Sequence, residues 1–257
     1  MRKRIDPALR RHQDYLRLKA LRTAKTYEAR LKSLRRKEVK RVLGLCKDFE
    51  PEEWAGIIQT QLSEPYLRDV ESGLFLAVGM PQARSTVRDM NKAKAEDSKV
   101  LESLWMSAIS KYADERIGEM IVTVSGALKK ELIGILQEQM AGGVTGIEKI
   151  TLAIFDKYKE LELWQVRRIV QTEAMIGLGK AGDVAARTLG VKFTKQWSIS
   201  GLGNTRDTHI EADGQIVGQD DPFHVGNSYL MYPHDTSLKA AAKEIINCAC
   251  TAIRRPV

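Results

Sequence analysis

The chain is poor in the features that mark several large protein classes. It has three cysteines in 257 residues, Cys46, Cys248 and Cys250. An odd number, with two of them one residue apart, excludes the evenly paired framework of a small secreted scaffold and fits a reducing compartment. No stretch approaches the roughly 18 consecutive apolar residues of a membrane span, so no membrane contact is expected. The opening Met1-Arg2-Lys3-Arg4-Ile5-Asp6-Pro7 leads into no apolar region or small-residue cleavage site, and no secretory signal is expected. A Gly-Lys-Ser/Thr phosphate loop, a Gly-x-Ser-x-Gly elbow and a His-Glu-x-x-His helix are all missing, which removes several common enzyme classes.

What is present is a globular composition, 43% hydrophobic and 29% charged, with an uneven distribution of charge. Residues 1–41 hold 16 Lys and Arg against four acids, a net +12, so the remainder carries −4 of the chain's formal +8. From Pro7 to Cys46, Ala20, Ala24, Tyr27, Leu31 and Leu34 recur at spacings of four and three, the period of an amphipathic helix. Arg22, Lys25, Arg30, Lys32, Arg35, Arg36, Lys37, Lys40 and Arg41 crowd its other faces. Such a helix suits attachment to a polyanion such as double-stranded DNA, or to an acidic partner surface. The same charges would equally serve a solvated helix.

Asp48-Phe49-Glu50-Pro51 reads as a break and restart. Helices are expected over about 51–62, 65–78, 81–118 with breaks, 120–140 and 146–159. A further helix, 162–189, turns small at Ala174, Gly177, Gly179, Ala181, Gly182, Ala185 and Ala186, which lets a neighbouring backbone approach closely. After Gly190 the period changes to that of strands. A strand is expected over 191–199, then the loop from Ser200 through Gly201-Leu202-Gly203 to Arg206, and a hairpin signal at Asp213-Gly214. A short helix from Leu238 to Glu244 should precede a terminal strand over 245–253. The fold class is therefore α+β, a predominantly helical N-terminal body with a small β-rich C-terminal unit. Three segments follow: 1–46 as a basic attachment helix, 47–160 as a helical body, and 161–257 as a C-terminal module.

That last segment gathers His209, His224 and His234 with Cys248 and Cys250. Cys248 and Cys250 share a face of an extended segment, so two thiolates can reach one zinc ion if loops deliver His209 and a fourth ligand. Cys-x-Cys lacks the longer spacer common in zinc knuckles, and small buried thiols in a strand are the plainer reading. A His/Glu or Cys/His catalytic pair can also be drawn from His209, Glu211 and Cys248. No motif calls for another cofactor.

The order of Gln171-Thr172-Glu173, Trp197, Thr205-Arg206-Asp207-Thr208-His209, Asp213-Gly214-Gln215, Asp221-Pro222-Phe223, Tyr232-Pro233 and Glu244-Ile245-Ile246-Asn247-Cys248-Ala249-Cys250 resembles the phage Mu F-like family of minor capsid, or head morphogenesis, proteins of tailed bacteriophages. The resemblance covers about residues 160–256. This chain departs from it at Gln171 and Ala249, where the family usually has arginine, and at Gly201-Leu202-Gly203-Asn204, where it usually has an acid. The resemblance implies a non-enzymatic virion protein, placed inside the capsid and in the host cytoplasm during assembly. Such a protein associates with the portal protein and contributes to packaging or ejection of DNA. It gives Thr172, Glu173, Trp197, Arg206, His209, Gly214, Pro222, Phe223, Pro233, Asn247, Cys248 and Cys250 structural roles. The alternative is a metal- or thiol-dependent enzyme built on the His/Cys module.

Overall fold

A computed structural model describes residues 4–90, 98–200 and 204–257, without the side chains of 98 and 117–121. The expected loop at Gly201-Leu202-Gly203 lies outside the described residues. The architecture is α+β, with long helices followed by a small antiparallel sheet. The helices are α1 (Pro7–Cys46), α2 (Trp54–Gln61), α3 (Leu67–Met90), α4 (Ser98–Ala141) and α5 (Ile147–Thr188). The rest comprises β1 (Phe193–Ser198), α6 (Asp207–Ala212), β2 (Ile216–Gly218), β3 (Phe223–Val225), β4 (Ser228–Leu230), α7 (Ala242–Ile245) and β5 (Thr251–Pro256). No helix among the described residues is long and apolar enough to cross a membrane.

Three helices are longer than their sequence signals suggest. Pro81 lies inside α3 rather than starting a helix. It removes one backbone donor, yet Val78, Met80, Gln82 and Ala83 around it are all buried, and their packing holds the helix together. Likewise α4 and α5 each fuse two expected helices, because Leu128 and Leu132, or Ile154, Tyr158 and Val166, keep burying one face across the expected breaks. Beyond Thr188, the short helix starts later than expected, at Ala242, and the terminal strand begins only at Thr251.

The chain forms two compact units from non-contiguous stretches. One comprises Thr26–Glu71 and Asp114–Arg167, the other Met1–Lys25, Ser72–Ala113 and Arg168–Val257. The first unit buries Val39, Val42, Leu43, Trp54, Ile58, Leu132, Ile154 and Tyr158 in one apolar cluster. Beside these sits a buried ion pair. Arg35 donates to Glu64 through Nε at 2.6 Å and Nη2 at 3.0 Å, and Tyr66 and Ser125 hydroxyls donate to the same carboxylate at 2.8 and 2.9 Å. Two bidentate bonds and two hydroxyls satisfy a charge that burial alone would make costly.

In the second unit, β1 lies between β2 and β5, antiparallel to both. Its register with β5 runs from Phe193 opposite Pro256 to Ser198 opposite Thr251. β3 and β4 form a separate hairpin pairing Phe223 with Leu230. The Asp213-Gly214 turn, with Gly214 at φ 75°, joins α6 to β2 instead of closing a two-residue hairpin. The small-residue stretch of α5 meets this module at contact distance. A Cβ at Gly179 would lie 2.8 Å from the Pro233 carbonyl oxygen, and one at Gly182 would lie 2.5 Å from Nη1 of Arg254. Glycine is needed at both because backbone and guanidinium occupy the space of a side chain.

Removing Glu64 strands a fully buried guanidinium. Glu64→Ala is expected to lower stability by about 3–5 kcal/mol, measured as the urea midpoint of the full chain. Unchanged stability would show that Arg35 finds another partner.

Candidate metal centre

The ordering of the C-terminal module begins at its largest buried ring. Trp197 on β1 is fully buried and packs edge-on against His209 at a ring separation of 5.7 Å and against Phe223 at 5.2 Å. Strand alternation puts Trp197 on the inner face, and the six-residue α6 carries His209 over it. The opposite wall comes from the chain's end. Asn247 adopts a left-handed conformation, φ 56°, and its N–H donates to Thr172 Oγ1 on α5 at 3.2 Å. Arg206 Nη2 donates to the Ile246 carbonyl at 2.5 Å. The turn fixed in this way delivers Cys248 and Cys250 to the same point as His209.

Ligand atoms of His209, Cys248 and Cys250 all lie within 4.8 Å of one another, and all three residues are buried. His209 Nδ1 is 3.3 Å from Cys250 Sγ and 3.5 Å from Cys248 Sγ. Its Nε2 is 3.0 Å from Glu244 Oε2, which also accepts from Thr208 Oγ1 at 2.9 Å. A carboxylate beside Nε2 keeps the proton there and turns the Nδ1 lone pair toward the sulfurs. Cys250 N–H donates to Cys248 Sγ at 3.3 Å. A tetrahedral zinc with N and S ligands sets N···S at about 3.6 Å and S···S at about 3.8 Å, from bonds of about 2.05 and 2.3 Å. The two N···S distances are close to that cage, and this His/Cys group could hold a metal.

Electrostatics favours a thiolate here. Burial resists ionisation of Cys248, but hydrogen bonds from the Cys250 thiol and amide, with the charges of Arg206 and Arg17, bring it below its ordinary value. Cys250 is pushed well above its own, first because its thiol is the donor to Cys248 and then by burial. Arg17, 2% exposed, lies within electrostatic range of both sulfurs and pairs with Asp14 on its own helix.

The other sequence candidates fall elsewhere. His234, at φ 72°, is buried and bonds the Cys248 carbonyl through Nε2 at 2.9 Å, so it supports the turn without offering that nitrogen as a ligand. Burial lowers its pKa. His224 is exposed against Tyr229, and Glu211 points outward from α6, so the drawn His209–Glu211 pair does not form. Glu244, which the sequence reading placed in the terminal motif without pairing it to His209, takes that place. Pro222 leads into β3, whose Phe223 backs Trp197, and Glu173 is buried on α5. Among the basic residues of α1, Arg35 is buried on Glu64, Arg36 donates to Glu162 at 2.6 Å, and Arg41 donates to Glu38 and the Gln61 carbonyl. Arg22, Lys25, Arg30, Lys37 and Lys40 are exposed and Lys32 is half-buried, with Lys40 over the Phe155 ring.

No protein-family model matches the chain, and no solved structure does. A stretch of 132 residues is 29% identical to a protein of Enterococcus faecalis (strain ATCC 700802 / V583) named NAD(+)--arginine ADP-ribosyltransferase EFV. The match covers 46% of this chain and 26% of that protein, so the chain spans about a quarter of its relative's length. A relative named for an activity points to an enzyme. It overturns two linked expectations, that the chain is a minor capsid protein and that it is not an enzyme. Both had come from the resemblance, with the absence of familiar catalytic motifs beside it, and neither excludes catalysis. The name neither supports nor refutes the Mu F-like resemblance.

The module also contains a lysine that burial keeps from holding its proton normally. Lys195 on β1 is fully buried, donates from Nζ to the Met231 carbonyl at 2.8 Å, and has its pKa pushed down to about 8 from 10.5. Between those two values the unfolded chain binds more protons than the folded one, so stability rises with pH across that window. Urea midpoints from pH 7.5 to 10.5 should rise for the wild type relative to those of Lys195→Met, which lacks this contribution and keeps the opposing one of Cys46, whose thiol burial pushes up to about 11. Parallel curves would contradict the assignment.

Proposed function

We propose that His209, Cys248 and Cys250 hold a zinc ion that fixes the C-terminal module, with Glu244 orienting His209 from outside the coordination sphere. The observation that carries this reading is the convergence of one imidazole nitrogen and two sulfurs within 4.8 Å in a buried site. Two sulfurs and an imidazole suit zinc rather than calcium or magnesium, which take oxygen ligands. Three of the module's strands are only three residues long. A unit that size gains little core of its own, and a metal is a common staple for such folds. Burial of all three ligands at 1%, 5% and 2% exposure supports a role in holding structure, since a reacting substrate needs a path to the metal.

A second reading concerns activity. The relative from Enterococcus faecalis supports transfer of ADP-ribose from NAD+ to arginine as the reaction to seek in this chain. The two readings are compatible: the zinc would order a module, and the transfer would take place elsewhere on the chain.

Elemental analysis of the purified full chain should find one zinc per molecule. Cys248→Ser, Cys250→Ser and His209→Ala should each lose it, while Cys46→Ser, buried in the other unit, should keep it. Glu244→Gln should weaken metal affinity about 10–100-fold, read by competition with a coloured chelator. A metal-free wild-type protein after growth and purification with zinc would overturn the reading. For the activity, the chain is incubated with labelled NAD+ and a free guanidine acceptor. Acceptor-dependent release of nicotinamide with label on the guanidine supports transfer, and no release excludes it.

A further inference from the structure

Outside the metal centre, the unit that holds the module contains a cleft of about 580 Å³ between the start of α1, the end of α3 and β5. That volume lies within the range of small-molecule sites, roughly 300–1,000 Å³. Leu9, Met90, Ile253 and Pro256 supply apolar wall. Two of the residues that line it carry buried polar atoms whose bonding capacity is unfilled. Gln13 is 5% exposed, and its Oε1 has no hydrogen-bond partner among the described residues. Nε and Nη2 of Arg255 are buried and without a partner among the described residues.

The remaining charges around the cleft have their own balance. Asp89 lies 3.4 Å from His12 Nε2, and Asp6 caps α1 by accepting from the Ala8 N–H at 2.7 Å. Arg254 donates to the Ala252 and Gly179 carbonyls at 3.2 and 3.1 Å, and the carboxylate of Asp183 acts on it electrostatically. Arg254 Nε is also buried without a partner among the described residues, but Arg255 has two such nitrogens, Nε and Nη2, on one edge of its guanidinium. A buried donor without an acceptor costs free energy, which a ligand oxygen would recover. A guanidinium with two free N–H groups matches a phosphate bidentately. The apolar wall suits the face of a planar base, and Gln13 Oε1 can accept from an exocyclic amine.

We infer that this cleft binds a nucleoside diphosphate, with Arg255 taking the diphosphate and Gln13 the base. The site stands on the cleft's own residues and is independent of both the zinc centre and the transfer reading.

The test is isothermal titration of the zinc-loaded full chain with ADP at low ionic strength. One site per chain is expected, with affinity reduced at least tenfold in Arg255→Met and partly restored in Arg255→Lys. A second measurement needs no variant. With methyl-labelled methionine, ADP should shift the Met90 resonance on the cleft wall and leave those of Met140 and Met231 in place. Absence of ADP binding, binding indifferent to Arg255→Met, or shifts that spare Met90 would each overturn the assignment. Inorganic pyrophosphate run in parallel should bind more weakly than ADP, since it lacks a base for the apolar wall; equal affinity would overturn the nucleoside part. Titration with NAD+ then separates this inference from the transfer reading, because ADP binding through Arg255 upholds the site whether or not the transfer assay succeeds.

Discussion

Three segments, around residues 197, 209 and 244–250, must meet at one buried point for the C-terminal module to exist, and the imidazole of His209 is where they meet. Its ring packs edge-on against Trp197, one nitrogen is held by Glu244 and the other faces Cys248 and Cys250. Each of those partners comes from a different element, β1, α7 and the turn before β5. Closing loops of this length costs entropy that three-residue strands recover poorly through ladder bonds alone. A polar cluster in this position rigidifies the module only when every member is satisfied. Here Glu244 is bonded by Thr208 and His209, and Cys248 by the Cys250 amide. The sulfurs facing Nδ1 are the members that a metal would complete.

The supporting contacts explain why residues far from the cluster matter to it. Thr172 on α5 takes the amide of Asn247, and the left-handed turn at Asn247 aims the two cysteines. Two glycines on the same helix let the Pro233 carbonyl and the Arg254 guanidinium approach, so α5 acts as the floor on which the module is assembled. The other unit relies on the same principle in a different form. Its apolar cluster surrounds an ion pair whose carboxylate accepts four bonds, and the long helix that carries Arg35 is thereby fixed to the chain around Glu64. Part of the basicity of α1 is spent on such internal pairs, which leaves a smaller exposed charge than the sequence count implies.

The helical period of the first 190 residues was legible because burial follows it, and the close-packing role of the small residues in α5 followed from their size. Helix joins were not legible. Pro81 and the mid-helix breaks are local signals, whereas the continuity of α3, α4 and α5 is decided by apolar faces packed from elsewhere. In the site, His209, Cys248 and Cys250 could be singled out by residue chemistry. Glu244 stood in the terminal motif, but its role beside His209 was not legible, since its placement depends on the four-residue α7, and sequence proximity favoured Glu211, which α6 turns outward. Arg35 likewise reads as one more cation of a basic helix until the buried Glu64 is seen opposite it. At the level of function, the ordered C-terminal motifs implied a non-enzymatic virion protein by resemblance, and the relative named as an ADP-ribosyltransferase corrected that.

X-ray absorption at the zinc edge of the purified full chain reports the identity of the atoms bound to the metal without any substitution. The account predicts a first shell containing two sulfurs at about 2.3 Å and a nitrogen at about 2.0–2.1 Å, with the outer-shell scattering of an imidazole ring. A shell of oxygen and nitrogen alone would place the metal away from Cys248 and Cys250 and contradict the account.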